Sequence, residues 1–457
     1  MVGDVETGPP EEAEEGHDAP PHLALVVTAD AIVPPEPMSV LDQFPAAGER
    51  RLAVRVTDDA LRWIRSGHPW LFEDSITSVS GDGQPGDLAV VFDRERRFRA
   101  IGLYDPTSPI RVKLLHHGDP VQITPAWFQR RIGDALDRRR GLLESTETTG
   151  VRCVNGENDG LPGLIVDLYG AVAVVKVYSP AWLAHLRSVV PPLESLLGVS
   201  AVVLRLSRRT QREIPEGITD GMVLLGSAPT GPVLFRENGL RVEADVVTGN
   251  KTGYFLDQRD NRRLVGEACR GAQVLDVFSS SGGFSLAAAA GGATSVLSVD
   301  ISSPALEAAR RNFAHNRGIA AVRRCRHDTR HGDAFEVMAE LAARGDRFDV
   351  VVVDPPSFAQ SEAAVPKALR AYERLTGVAV GLVADGGLLV QASCSSRVSP
   401  ADFFEAVASG ARRAGVELTE LRRTGHPGDH AVGFRQGEYL KAVFARIHRP
   451  KSRKASR

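Results

Sequence analysis

Along this chain the rhythm of hydrophobic and polar positions changes several times. Over residues 1–49, prolines at 9, 10, 20, 21, 34, 35 and 37 break up a polar, acidic stretch in which Leu23–Val27 is a lone apolar island. Such a pattern predicts an extension with too little apolar surface for a core. From Leu52 the texture becomes that of short strands. Leu52–Val56 and Ile110–Leu114 alternate, Leu88–Phe92 is an apolar run, and turns such as Gly81–Gly86 separate them. This predicts a small β-rich module over 50–122. Between its first two strands, Leu61–Phe72 interleaves Arg62, Arg65 and His68 with Trp63, Trp70 and Phe72. Aromatic residues in that setting serve a core more often than they stack nucleobases.

Residues 123–244 read as an α+β connector. It comprises a basic helix from Trp127 to Arg140, strands at Leu164–Val166 and Ala171–Val177, a helix near Leu183–Leu197 and a strand at Ala201–Leu206. The helix's charges are most simply a solvated face. From 245 to 448 strands and helices alternate. Strands are expected at Gln273–Phe278, Ser295–Val299, Val322–Cys325, Phe348–Val353 and Gly386–Ala392, and helices at Ser281–Ala290, Ala305–Asn316 and Ala401–Ala414. Near-continuous apolar strands such as Val350–Val353 imply a sheet covered on both faces, hence a doubly wound, Rossmann-like α/β domain with its ligand crevice at the carboxyl ends of the strands. Residues 449–457 form a basic tail.

Composition refines this picture. At 457 residues and 43% hydrophobic, the chain is long enough for more than one core. The net charge of -2 conceals an asymmetry, because residues 1–49 hold eleven Asp and Glu and no Lys or Arg. The remaining 408 residues carry a charge of +9, an excess suited to a polyanion, and an acidic arm could compete with RNA for that basic surface. The four cysteines lie more than 50 residues apart, so no zinc-ligand spacing or disulfide framework is expected. No apolar run of about 18 residues and no basic-then-apolar leader is seen, which predicts a cytoplasmic protein without a membrane span.

The candidate chemistry collects at the predicted strand ends. After the first strand, Asp276-Val-Phe-Ser-Ser-Ser-Gly-Gly283 places an acid before a short glycine turn, with Phe278, Ser279 and Gly282 in it. The G-x-G-x-x-G spacing of a pyrophosphate site is absent. An acid and a short turn suit a ligand with an ammonium and a carboxylate but no phosphate, as in S-adenosylmethionine, with Gly282 and Gly283 allowing close approach. Asp300 ends the second strand, where a carboxylate accepts from both ribose hydroxyls. Asp333 could accept from the adenine amino group with Phe335 flanking the ring, Asp328 being the rival candidate. Any one of these acids could instead be a helix N-cap.

The fourth strand delivers Asp354-Pro-Pro-Ser-Phe358, a proline-stiffened turn over the crevice, as in methyl transfer to planar nitrogenous targets. Ser357 stands where an aromatic would stack an exocyclic-amine target. Cys394 follows the fifth strand. Carbon 5 of cytosine is a poor nucleophile, so a thiolate adding to C6 is what such chemistry requires. Cys394 is the candidate nucleophile, with Asp354 on the N3/N4 edge of the base.

Together these residues resemble the class I S-adenosylmethionine-dependent 23S ribosomal RNA large-subunit methyltransferases with an N-terminal PUA domain, which form 5-methylcytosine. The resemblance runs from about residue 51 to 447. It rests on Ser66–Phe72, Asn158–Gly170, Lys251–Arg262, Asp354–Phe358 and Ser393–Ser395. It implies that the β-rich module is a PUA domain whose Arg62, Arg65 and His68 meet RNA together with Lys251, and that Tyr254 and Gln258 help cover the cofactor. The implied partner is ribosomal RNA, with no membrane and no metal and with room for a homodimer. Two other readings stand beside it: a guanine-directed (N7 or N2) RNA methyltransferase without covalent catalysis, and a non-catalytic RNA-binding assembly factor.

Overall fold

The computed structural model describes residues 39–249 and 251–449. The apolar island at Leu23–Val27, most of the acidic extension and all but the first residue of the basic tail lie outside the described residues. The last part of the expected extension is packed. Ser39 caps a short helical turn over Val40–Gln43, Phe44 is buried, and the Arg187 guanidinium donates to the carbonyls of Leu41, Asp42 and Phe44. One aromatic anchor and one arginine fork suffice to dock a segment that its prolines and charge made look unstructured.

The β-rich module is a six-stranded sheet in the order Trp70–Phe72, Ile110–His117, Phe98–Tyr104, Leu88–Phe92, Arg51–Val56, Ile76–Val79. The alternation in Arg51–Val56 buries Leu52, Val54 and Val56 on one face. A helix at Asp58–Arg65, capped by the Thr57 hydroxyl, lays Ala60, Leu61 and Ile64 on the same core. The expectation of core packing fails for two aromatics: Trp63 is 63% exposed and Phe72 40%. Trp63 lies on the helix face opposite its apolar stripe.

In the connector, five strands run in the order Val223–Gly226, Ala201–Leu206, Val172–Val177, Leu164–Tyr169, Gly150–Asn155. The basic helix is Pro125–Asp137, and Trp127, Phe128 and Ile132 fill its inner face. Its following arginine does not belong to a solvated face, since Arg139 is buried against Asp159 at 2.8 Å.

The catalytic-type sheet has seven strands: β1 (Gln273–Val277), β2 (Ser295–Asp300), β3 (Arg326–His331), β4 (Phe348–Val353), β5 (Val383–Ser393), β6 (Glu417–Thr424) and β7 (Lys441–His448). Their order is β3-β2-β1-β4-β5-β7-β6, with β1 to β5 parallel and β7 antiparallel to both of its neighbours. Both faces are covered, as the apolar runs predicted. Val350 and Val352 of β4 enter one core with helix α1 (Arg259–Ala268) and α2 (Gly283–Ala290), whereas Val351 and Val353 enter another with α3 (Ala334–Ala343) and α4 (Val365–Leu382). The expected strand at Val322–Cys325 is wrong. Ala320–Arg324 is a short helix and the strand is the polar Arg326–His331 beside it, which as an edge strand needs no apolar alternation.

Candidate active site

The crevice forms where β1, β2, β4 and β5 end. The turn after β1 is unusual backbone: Phe278 (φ 64°) and Ser280 (φ 49°) are non-glycine residues in the left-handed region, followed by Gly282 (φ 75°). Such residues persist where the surroundings over-determine them. Here the Ser280 amide donates to Asp300 Oδ2 at 2.8 Å and the Ser279 amide to the Val299 carbonyl at 3.0 Å. Asp300 Oδ1 accepts from the Ser302 amide at 2.8 Å, so Asp300 braces the turn with both oxygens and keeps lone pairs for further donors.

Gly282 and Gly283 also answer to packing. A Cβ on Gly282 would stand 2.7 Å from the Ala309 Cβ, and one on Gly283 would stand 2.5 Å from the Tyr254 hydroxyl. They permit close packing of the helix behind the turn.

Asp276 is buried. Its Oδ2 accepts from the Ser285 amide (3.0 Å) and hydroxyl (2.6 Å), and its Oδ1 has no partner. Burial, with the charges of Asp354 and Asp300 adding, pushes its carboxyl up to about 7 against the Ser285 hydrogen bonds. Because that value lies above the unfolded one, the group favours the fold at low pH, and this contribution is lost as pH rises from about 4 through about 7. Asp276→Asn should therefore flatten the fall in melting temperature of the ligand-free protein between pH 4 and pH 8. Parallel melting curves for the two proteins would count against a buried, neutral-favouring Asp276.

Asp333 takes the role of helix cap, its Oδ1 accepting from the Phe335 and Glu336 amides. It is exposed, and Phe335 is half-buried beneath the Arg374 guanidinium, 4.7 Å from the ring centre. Its rival Asp328 lies within β3, where it pairs with Arg326 at 3.0 Å.

The second half of the crevice is built by β4 and β5. Cys394 Sγ lies 4.0 Å from the Pro355 carbonyl oxygen, and it is the one thiol of four that is not buried. The serines around it lock the turn. Ser395 Oγ hydrogen-bonds Ser357 Oγ (3.0 Å) and Tyr372 Oη (2.9 Å) and accepts from the Phe358 amide (3.2 Å). Ser357 thus ties the Asp-Pro-Pro turn to the end of β5. Burial and the Asp257 charge push the Asp354 carboxyl up to about 7, against Lys251, Gln258 and Arg262. Burial pushes the Cys394 thiol up to about 11, with Lys251 pulling back and Asp354 and Asp257 adding.

Lys251, implied as an RNA contact, stands beside this pair. Its Nζ lies 3.5 Å from Asp257 Oδ2 and 4.2 Å from the Phe255 ring centre. Gln258 is buried and accepts from the Asn261 amide group (2.6 Å), and it favours the ionised form of Asp354. Asp257 was absent from the sequence reading. Burial opposes its ionisation, but Lys251, His430 and Arg152 hold its carboxyl well below the usual range.

Sequence reasoning also missed the loop between β6 and β7. Asp429 is buried and accepts from Arg259 through two hydrogen bonds (2.7 and 3.0 Å) and from the Arg152 amide (3.0 Å), while Arg139 donates to its carbonyl (2.8 Å). Asp429→Ala would leave Arg259 buried and uncompensated, so a loss of about 3–5 kcal/mol is expected in urea unfolding. A change below about 1 kcal/mol would show that the pair is not what holds the loop.

With this geometry established, comparison with known proteins is decisive. A family model described as S-adenosylmethionine-dependent methyltransferase matches residues 167–431, and a PUA-like domain model matches residues 54–117. A ribosomal RNA large subunit methyltransferase of Deinococcus radiodurans is 47% identical over 408 residues, covering 88% of this chain and 99% of that protein. The chain belongs to this methyltransferase family. A ribosomal RNA large subunit methyltransferase I of Alteromonas mediterranea is 34% identical over 387 residues, covering 84% and 96% respectively. The fold matches an S-adenosylmethionine-dependent methyltransferase from Streptococcus mutans with a TM-score of 0.73 at 21% identity, over 86% of this chain and 99% of that one.

The methyltransferase therefore uses S-adenosylmethionine, and the crevice residues fit it. Asp276 Oδ1, Ser279 Oγ and the Tyr254 hydroxyl are buried polar atoms without partners, clustered around the turn after β1. A buried polar atom left unpaired costs free energy, so such a group of donors and acceptors suits a polar ligand. When bound, the cofactor supplies a methyl group made electrophilic by a sulfonium. Among the described residues no cluster of His, Cys, Asp and Glu could hold a metal ion, and no helix is long and apolar enough to cross a membrane.

Proposed function

We propose that this methyltransferase modifies C5 of a cytosine in 23S ribosomal RNA through a covalent bond from Cys394. The observation that carries the reading is Cys394 at the end of β5, only partly buried beside the Asp354 turn, while the other three thiols are buried. The names of its relatives support ribosomal RNA as the substrate.

In this reading a carboxyl near 7 gives Asp354 a proton to share with the cytosine N3 edge at neutral pH. Cys394 gives up its proton to water, and its Sγ bonds to C6 as the C5–C6 double bond becomes electron density at C5. C5 would take up the methyl group as the S–CH3 bond breaks, with both electrons of that bond staying on sulfur as a neutral thioether. The C5 proton then passes to water, the C5–C6 double bond re-forms, and the S–C6 bond breaks to return the thiolate. Ser279, Asp276 and Tyr254 hold the polar end of the cofactor, Phe278 stays in the turn, Asp300 accepts from the ribose, and Asp333 and Phe335 meet the adenine. Residues 50–122 act as the RNA-binding module, 123–244 as the connector and 245–448 as the methyltransferase domain.

Mass-spectrometric mapping of 23S RNA from cells with and without the protein tests this directly. Loss of one 5-methylcytosine is expected. Loss of a methylguanine would favour guanine-directed chemistry, and an unchanged map would favour an assembly role.

A further inference from the structure

The face of the β-rich module carries more aromatic surface than its fold needs. Trp63 and Phe72 are exposed large hydrophobics outside the module's core, and His68 lies between them. His68 meets Trp63 edge-on at 5.8 Å and Trp70 edge-on at 5.7 Å, and it lies tilted by 45° to Phe72 at 6.3 Å between ring centres. Trp70 is pinned by its Nε1, which donates to Glu157 Oε1 at 2.9 Å, and its ring meets Phe434 at 5.3 Å and 83°. The row of rings therefore crosses from the β-rich module to the loop between β6 and β7. That loop reaches the crevice, since its Tyr439 hydroxyl donates to Asp257 Oδ2 at 3.0 Å, the carboxylate paired with Lys251.

The charges around the row suit a polyanion. Asp58, Asp59 and Glu73 are each paired with an arginine, and the exposed Arg65 has no ion-pair partner among the described residues. Exposed rings joined edge-to-face offer π-surfaces at successive steps, and every nucleobase has a face to lay on them. Bases within a duplex already have theirs covered.

We propose that Trp63, His68, Phe72, Trp70 and Phe434 form a stacking track that holds unpaired bases of the RNA and leads them toward Cys394. The proposal rests on RNA being the substrate, as argued above. It adds which form of RNA is taken and which surface selects it.

The test measures binding of the full chain to a fluorescent single-stranded RNA and to a fully paired RNA of equal length, across a series of salt concentrations. Trp63→Ala and Phe72→Ala remove exposed rings, so the fold is retained, and each should weaken single-strand binding about tenfold. Duplex binding and the salt slope should not change, because no phosphate contact is lost. Trp63→Phe should keep most of the affinity, and RNA should quench Trp63 fluorescence. Unchanged single-strand affinity in both alanine variants would overturn the track while leaving the RNA substrate intact. Equal losses on single strand and duplex with a shallower salt slope would overturn it in favour of a charge effect. Wild-type protein that binds neither RNA would overturn the track and the substrate reading together.

Discussion

Cys394→Ser is expected to end methylation, lowering the single-turnover rate by at least about 10³-fold while leaving S-adenosylmethionine affinity within about twofold. The split follows from the architecture. The unpartnered polar atoms that fit the cofactor gather around the turn after β1, whereas Sγ belongs to β5 and lies near the Pro355 carbonyl. A serine hydroxyl fits the space but is far harder to ionise and a poorer nucleophile toward C6. Wild-type protein should also form a stable adduct with RNA carrying 5-fluorocytosine, because fluorine at C5 cannot leave as a proton does. Cys394→Ser should form none. Methylation of the same base by Cys394→Ser at a near wild-type rate would end the covalent reading.

The second large effect concerns Asp354. If activity needs a protonated Asp354 and an ionised Cys394, their positions at about 7 and about 11 mean that between those values both groups work in their minority forms. For the wild type, log kcat/KM should rise with unit slope to about pH 7 and then flatten, as each gain in thiolate is cancelled by loss of the Asp354 proton. Asp354→Asn cannot ionise. It should be slower by about 10²–10⁴-fold at pH 7, and its profile should keep rising beyond the point where the wild type levels off. A break near pH 7 that survives in Asp354→Asn would assign that titration to another group, with Asp276 the first to examine.

Much of the catalytic half was legible in the sequence because its central strands are buried on both faces. Val350–Val353 can be read as a covered strand from residue type alone, and four strand ends then locate Asp276, Asp300, Asp354 and Cys394. Edge and reversed strands lack that signal. Arg326–His331 is nearly all polar because one side of it has no neighbour, and the antiparallel β7 is placed by a loop whose hydrogen bonds reach across some 290 residues.

The same lack of long-range information explains the other misses. Nothing local marks Asp429 as buried, since its partners Arg139, Arg152 and Arg259 are far away in sequence. Gly282 shows how one glycine can answer to several constraints, since its positive φ and the neighbouring Ala309 both favour glycine beside the turn. Trp63 shows that the usual fate of an aromatic gives way when the helix already has its apolar stripe.

The loop carrying Asp429 and Phe434 has a consequence for how the molecule is made. It joins Arg139, Asn155 and Asn158 of the connector to Arg259 and, through Phe434, to Trp70, yet it is synthesised after all of them. While the chain is still emerging from the ribosome, the β-rich module and the connector can fold around their own local contacts. Arg139 and Arg259 then wait without Asp429, so this clamp is added, once the loop has been made, to the core that Tyr169 and Phe235 of the connector share with Val265 of the methyltransferase domain.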